Sequence, residues 1–143
     1  MTALPEPERW QGLLNRHSTL FGELVDGSSI GIARRTGANL AGAEMVVWLA
    51  QDGRLVAGRR PFHGYADAGV DVLLVGDDEA MGELSQALDG QASDGEDALP
   101  VLKRLVRRGN IVCYVMRRQC DLIDAGYEDV LQSMGVAFAG ACR

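Results

Sequence analysis

The pattern of hydrophobic and polar positions along this chain predicts alternating helices and strands. In residues 8–25 the apolar side chains recur every three or four positions, which is the period of one face of a helix. The continuous apolar run at residues 44–50 is typical of a strand that is buried on both faces of a parallel sheet. A second such run, at residues 70–75, predicts another strand.

Capping residues mark two further helices in the second half of the chain. Asp77 or Asp78 can cap a helix over residues 79–88, because a carboxylate accepts hydrogen bonds from free N–H groups in the first turn. Pro100 suits the first turn of the next helix, and Gly109 ends it.

The last stretch, residues 110–143, reads as strand, loop, helix and strand. Apolar runs at 111–116 and 136–139 flank a helical pattern at 121–134. In open α/β sheets, ligands bind just outside the carboxyl ends of the strands. We therefore expect any reaction site to lie at residues 116–120.

Residues 30–40 allow two interpretations. Ile30 and Ile32 alternate as in a strand, whereas the small residues that follow suit one face of a helix. We prefer the helix, because Gly42 follows as a natural stop.

Residues 54–58 also allow two interpretations. Asp52 and Gly53 lie between apolar runs, which is a signal for a β-hairpin. The following residues then form either the second strand of that hairpin or a short helix.

Taken together, the elements predict an α/β fold with a single domain over residues 1–143. Helices that alternate with apolar strands favour a three-layer sandwich around a mainly parallel sheet of about five strands, as in flavodoxin-like folds. Residues 1–8 are expected to form a loose arm. Residues 89–97, which are acidic and small, are expected to form a mobile loop.

Composition excludes several classes of function. The net charge of −6 argues against nucleic-acid binding, and no apolar run reaches the length of about 20 residues that a membrane span needs. The N-terminus does not have the pattern of a signal peptide, and three cysteines do not make a paired disulfide framework, so we expect a cytoplasmic protein. The cysteine spacing matches no zinc pattern and no nucleotide-binding motif is present, so we expect neither metal nor cofactor.

Cys120 is the candidate nucleophile. It follows Arg117 and Arg118 and precedes a predicted helix, and nearby arginines and helix N-termini both lower the pKa of a cysteine. An ordinary half-buried cysteine is the competing interpretation. Cys113, inside the predicted strand, is expected to be a small core residue.

Other candidates for binding an anion or substrate surround the same strand end. They are Arg117, Arg118, Tyr114, Met116 and His63. His63 could act as a base, although a lone histidine in a loop is usually a surface residue.

Two segments resemble the DsrE/DsrF-like sulfurtransferase family, which includes the TusBCD sulfur-relay proteins. Residues 40–53 are similar to that family's helix end, strand and Asp-Gly turn, and residues 114–139 to its last strand, helix and strand. The resemblance implies a small α/β fold with a parallel sheet, a homo- or hetero-oligomer, and a persulfide cysteine at the strand end. Met116 occupies the position of that cysteine, and Cys120 lies four residues further on.

The leading hypothesis is therefore a DsrE-like protein of intracellular sulfur transfer. It would act either as a persulfide carrier through Cys120, with a sulfur-carrier protein as partner, or as a non-catalytic subunit. The alternative is a small-molecule or protein-binding regulatory module without thiol chemistry, Roadblock- or GAF-like if the Asp52–Gly53 hairpin belongs to a central antiparallel sheet. We expect an oligomer, because the helical face at 10–25 and the aromatic residues Phe62 and Tyr65 provide apolar surface.

Overall fold

The computed structural model describes residues 4–35, 43–90 and 97–136. Its strands are β1 Ser29–Arg34, β2 Glu44–Gln51, β3 Arg54–Pro61, β4 Val72–Gly76 and β5 Ile111–Val115. Its helices are α1 Pro7–Arg16, α2 Ser18–Phe21, α3 Asp78–Leu88, α4 Ala98–Arg108, α5 Gln119–Asp124 and α6 Tyr127–Ser133.

The strands form one five-stranded sheet in the order β3-β2-β1-β4-β5. Three of the four pairings are antiparallel, and β1 with β4 is the parallel pair within the described residues. The molecule is thus a mixed α/β fold with a mostly antiparallel sheet, and the expectation of a mainly parallel, flavodoxin-like sheet is wrong. The apolar run of β2 suggested a parallel strand, but an antiparallel strand covered on both faces needs the same apolar residues.

The helices of the described residues all pack on one face of the sheet, which we call the inner face. The core on this side contains Trp10 of α1, Phe21 of α2 and Trp48 of β2. The centroid of the Trp48 ring lies 5.5 Å from that of Trp10 and 5.7 Å from that of Phe21. Residues from α3, α4, α5 and α6 complete the same core. The expected three-layer sandwich is therefore not formed by the described part of the chain.

The opposite face, which we call the outer face, has a smaller apolar cluster. Its strand residues are Ala33, Met45, Val47, Leu73 and Val75. The segment between β3 and β4 contributes Phe62, Ala68 and Val70 to the cluster. This segment covers part of the outer face without forming a helix.

β2 and β3 form the hairpin that the Asp-Gly pair suggests. Asp52 and Gly53 both have positive φ, at 53° and 79°, and Gln51 pairs with Arg54 across the turn. Positive φ at both central residues is the geometry of the tight turn that fits the twist of two antiparallel strands. The hairpin is confirmed, and the alternative of a short helix at residues 54–58 is wrong.

The helix preferred at residues 30–40 is wrong where the structure describes it, because Ser29–Arg34 is the central strand β1. Ile30 and Ile32 face the inner core, whereas Gly31 faces outward. A Cβ atom at Gly31 would lie 3.1–3.2 Å from side-chain atoms of Leu73 and Val70. A small residue is thus required at Gly31 by close packing on the outer face. Residues 36–42 lie outside the described residues.

Several local predictions are confirmed. Asp77 caps α3 by accepting a hydrogen bond from the Ala80 N–H at 2.8 Å, and Gly109 ends α4 in the left-handed conformation. The strand after Asn110 is β5. The helix predicted at 121–134 is instead two helices, α5 and α6, separated at Gly126.

Parts of three predicted segments lie outside the described residues: 1–3 of the arm, 91–96 of the acidic loop and 137–139 of the last strand. The described part of the arm is held in place, since Pro5 is buried and its carbonyl oxygen accepts a hydrogen bond from the Trp10 indole at 3.1 Å.

Asp97 joins α1 to the start of α4. Its Oδ1 accepts hydrogen bonds from the Arg16 guanidinium at 2.7 Å and from the Ala98 N–H at 2.8 Å, and its Oδ2 lies 2.7 Å from His17 Nε2. Burial works to raise the pKa of this carboxyl group, but the hydrogen bonds from Arg16, His17 and Ala98 outweigh it and hold the pKa below 3.8.

We predict that Gly126→Ala destabilises the protein more than Gly109→Ala. Both glycines have positive φ, at 91° and 84°, so alanine costs about 1 kcal/mol at either position. At Gly126 the new Cβ would also meet the carbonyl of Glu23, whereas at Gly109 it would meet no atom within 4 Å. The clash should add about 1–3 kcal/mol to the loss of unfolding free energy, measured by urea denaturation. Equal losses for the two variants would contradict the close contact.

We predict that the contribution of Asp97 to stability disappears on acidification. Because its folded-state pKa is lowered, the contribution is complete above pH 3.8 and is lost as the pH falls through the folded-state value. Asp97→Asn retains a capping side chain but removes the charge. At neutral pH the variant should unfold at a lower urea concentration than the unmodified chain. In acid the unfolding midpoints of the two proteins should become equal. Asp124→Asn, at an exposed position, is the control. A difference for Asp97→Asn that stays constant with pH would refute this linkage.

Candidate functional site

The end of β5, where the site was expected, borders an open pocket of about 450 Å³, which we call the strand-end pocket. It is lined by Val25, Asp26, Gly27, Ser28, Arg117, Asp121, Asp124 and Ala125. Arg117 lies 3.6 Å from the Asp71 carboxylate, and Arg118 donates to Asp121 at 3.2 Å. Both arginines beside this pocket are therefore paired with a carboxylate, while Asp26 and Asp124 add negative charge to its lining.

A hydrogen-bonded group of polar residues lies beside the strand-end pocket. The Tyr127 hydroxyl is 2.8 Å from Asp71 Oδ2 and 3.1 Å from the carbonyl oxygen of Ser29, and the Ser29 N–H donates to Asp71 at 3.2 Å. Burial, followed by the Asp71 carboxylate, raises the pKa of Tyr127 far above its ordinary value. Tyr127 is thus a neutral hydrogen-bond donor that ties α6 to the beginnings of β1 and β4.

The two described cysteines differ from the reactive thiolate that the sequence suggested. Cys120, in the first turn of α5, is disulfide-bonded, so the expectation that the cysteines stay unpaired is wrong for this residue. Cys113 is free and half-buried in β5, and burial raises the pKa of its thiol to about 11. Cys113 matches the expected small core residue, because it packs against the inner core.

The remaining candidate residues belong to different surroundings. Tyr114 stacks on Tyr65, with ring centroids 4.9 Å apart, and packs against the outer cluster. His63 is exposed in the segment that contains Tyr65. Met116 is 38% exposed, and its N–H donates to the carbonyl of Asp71. The six predicted site residues therefore do not form one constellation: Arg117 lines the strand-end pocket, while Tyr114 belongs to the outer face.

Metal binding finds no support in the described ranges, since they contain no group of three or more His, Cys, Asp or Glu side chains that could hold an ion.

Sequence reasoning missed a groove on the outer face, which we call the outer groove. It has a volume of about 140 Å³ and lies over β2 and β3. It is lined by Val47, Leu49, Gln51, Val56, Ala57, Gly58, Arg59 and Arg60. The alternation of Val56, Gly58 and Arg60 would have indicated this face once the hairpin was accepted.

Gly58 creates the opening in the outer groove. It lies opposite Val47 on β2, and a Cβ atom added to it would meet no atom within 4 Å. Val56, next to it on the same face of β3, is 36% exposed. A glycine inside a strand often marks a place where a ligand or another backbone approaches closely.

Helix α1 fixes the strand that carries the groove. The Gln11 side chain donates to the carbonyl oxygen of Leu55 at 3.0 Å and accepts from the N–H of Ala57 at 2.8 Å. It thereby satisfies the edge of β3 as a neighbouring strand would. The outer groove therefore lies on a rigid hairpin rather than on a loop.

No family model matches this chain, and no curated protein matches it. Similar solved structures include a conserved protein from Thermus thermophilus whose description suggests a sterol carrier protein, at 14% identity and a TM-score of 0.45, covering 98% of this chain and 96% of that one. Sterol carrier protein 2 from Yarrowia lipolytica in its apo form has 14% identity and a TM-score of 0.39, covering 90% and 88%. Sterol carrier protein-2 like-3 from Aedes aegypti has 13% identity and a TM-score of 0.42, covering 86% and 95%.

The sheet topology corrects the resemblance to the DsrE/DsrF-like family, which is wrong. That resemblance implied a parallel sheet, whereas three of the four strand pairings here are antiparallel. Both forms of the sulfur-relay hypothesis depended on this resemblance and are wrong as well: the persulfide carrier that acts through Cys120, and the non-catalytic subunit.

Two other expectations concern a membrane span and the assembly of the protein into an oligomer. Among the described residues, no helix is long and apolar enough to cross a membrane. The oligomer stays a prediction, but its basis has changed: Trp10 and Phe62 are buried within the chain, whereas Tyr65 is 41% exposed.

We predict that Cys113 reacts slowly at neutral pH. Because burial raises its pKa from 9.0 to about 11, its thiolate fraction should be about a hundredfold lower than that of an unperturbed thiol. Iodoacetamide labelling, followed by mass mapping of the peptide that contains Cys113, should accelerate with pH up to about 11. The same chain unfolded in urea is the control. Rapid labelling of the folded protein at neutral pH would disprove the effect of burial.

Proposed function

We propose that this chain is a binding module that holds an apolar part of a small molecule in the outer groove, without thiol chemistry. The observation that carries the proposal is the open space over Gly58, between the exposed Val56 and the apolar residues of β2. A sheet face that meets only water normally presents polar side chains. Apolar side chains around an unfilled gap gain free energy when a ligand displaces the water there.

The dimensions of the outer groove favour a narrow ligand. Its volume of about 140 Å³ is below the roughly 300–1,000 Å³ of pockets that enclose drug-sized molecules. A linear alkyl chain can lie along such a groove with the rest of the molecule outside it.

The strand-end pocket supports this function less well. Arg117 and Arg118 are each paired with a carboxylate, and the Tyr127 hydroxyl is already bonded to Asp71. A ligand would have to replace these interactions, whereas the apolar residues of the outer groove have none to lose.

We predict that Gly58→Val blocks the outer groove without weakening the fold. A Cβ atom at this position is unobstructed, and valine suits a strand better than glycine. Affinity for octanol, followed by amide chemical shifts in an NMR titration, should fall by about tenfold or more, since a factor of ten corresponds to about 1.4 kcal/mol of lost apolar contact. The melting temperature should be unchanged or higher.

A matched pair of valine variants provides the control for this experiment. Val56→Asp places a charge in the outer groove, whereas Val25→Asp makes the same change at a residue that is 54% exposed in the strand-end pocket. Only Val56→Asp should weaken octanol binding. Octanol-induced shifts confined to the strand-end pocket, or equal effects of the two variants, would overturn the proposal.

A further inference from the structure

Positive charge is concentrated at one end of the outer groove. Strand β3 contains Arg54, Arg59 and Arg60 and no acidic residue, although the whole chain has a net charge of −6. Arg59 and Arg60 both line the groove. An acidic protein thus presents a local cationic site beside an apolar gap.

Arg60 is the arginine that faces the outer groove, whereas Arg59 pairs with Val46 of the inner core and points to the opposite face. Arg59 lies 3.9 Å from Glu44, and both side chains are about half exposed, so this ion pair contributes little. Arg60 is exposed and, within residues 4–35, 43–90 and 97–136, forms no ion pair. Its pairing with Met45 on β2, a residue of the outer cluster, places it on the same face as Val56 and Gly58.

From this arrangement we infer that the outer groove binds an amphipathic anion, with an alkyl chain over Gly58 and an anionic head group at Arg60. The inference rests on the proposed function and specifies its ligand class. Carboxylates and phosphates share the required chemistry, because the planar guanidinium group donates two parallel hydrogen bonds to either.

Four probes with the same alkyl chain and different head groups test the ligand class: octanoate, octyl phosphate, octanol and octyltrimethylammonium. Each is titrated into the full chain at concentrations below micelle formation, and affinity is read from amide chemical shifts. The two anions should bind roughly tenfold more tightly than octanol, as expected for a hydrogen bond to a charged group, and the cation should bind most weakly. The relative affinities of octanoate and octyl phosphate then identify which anionic head the groove prefers.

Substitution of Arg60 tests the residue that recognises the head group. Arg60→Gln should reduce the preference for octanoate over octanol to about one, while octanol affinity stays unchanged. Arg108→Gln, at an exposed position on α4 outside the groove, is the matched control and should leave the preference intact. Rising salt concentration should weaken octanoate binding and leave octanol binding unaffected.

The outcomes separate this inference from the proposed function. Equal binding of octanoate and octanol, with both reduced by Gly58→Val, overturns the anionic ligand and leaves the apolar groove in place. Failure of every probe to shift groove residues overturns both. Protein concentration-dependent shifts of Val56 and Gly58 without ligand would assign the groove to a second copy of the chain, which also contradicts a small-molecule site.

Discussion

The central strand β1 is the element on which the rest of the structure depends. It pairs with β2 on one side and β4 on the other, and its side chains alternate between Ile30 and Ile32 in the inner core and small residues on the outer face. Its first residues are held by Tyr127, whose hydroxyl reaches both Ser29 and Asp71. Because β1 and β4 are parallel, the chain must cross back over the sheet between them. The β2–β3 hairpin and the segment after it make that return, and the segment places Phe62 and Val70 on the outer face.

This return connection explains why the outer face is covered unevenly. Val70 packs against Gly31 of the central strand, and Tyr65 stacks on Tyr114 of β5, so the cover lies over β1, β4 and β5. At the other side of the sheet, α1 supports β3 through Gln11 at its edge while the outer face near Gly58 stays open. The outer groove is therefore a consequence of topology: the described helices all pack on one face, and a short segment covers only part of the other.

The sequence predicts the local elements well because their signals are local. The Asp52–Gly53 turn, the Asp77 cap and the Gly109 helix end each depend on a few neighbouring residues, and the structure confirms them. The direction of strand pairing is not a local property, since the same apolar run in β2 serves a parallel or an antiparallel neighbour. The helix was preferred at β1 because Gly42 follows as a stop, whereas the contact that requires a small residue at Gly31 comes from Val70, which is distant in sequence. The outer groove was missed for a similar reason: Gly58 resembles a turn residue until its partner Val47 is known.

The choice between the two pockets depends on which groups gain interactions when a ligand binds. Around the strand-end pocket both arginines already have a carboxylate partner, as in Arg117 with Asp71, so an anionic ligand would only replace existing ion pairs. The one free thiol of the described residues, Cys113, is held in its protonated form by burial. In the outer groove the situation is reversed, because Val56 is in contact with water and the space over Gly58 is unfilled. A ligand gains binding free energy when it covers such exposed apolar surface. The smaller outer groove is therefore a better candidate for function than the larger strand-end pocket.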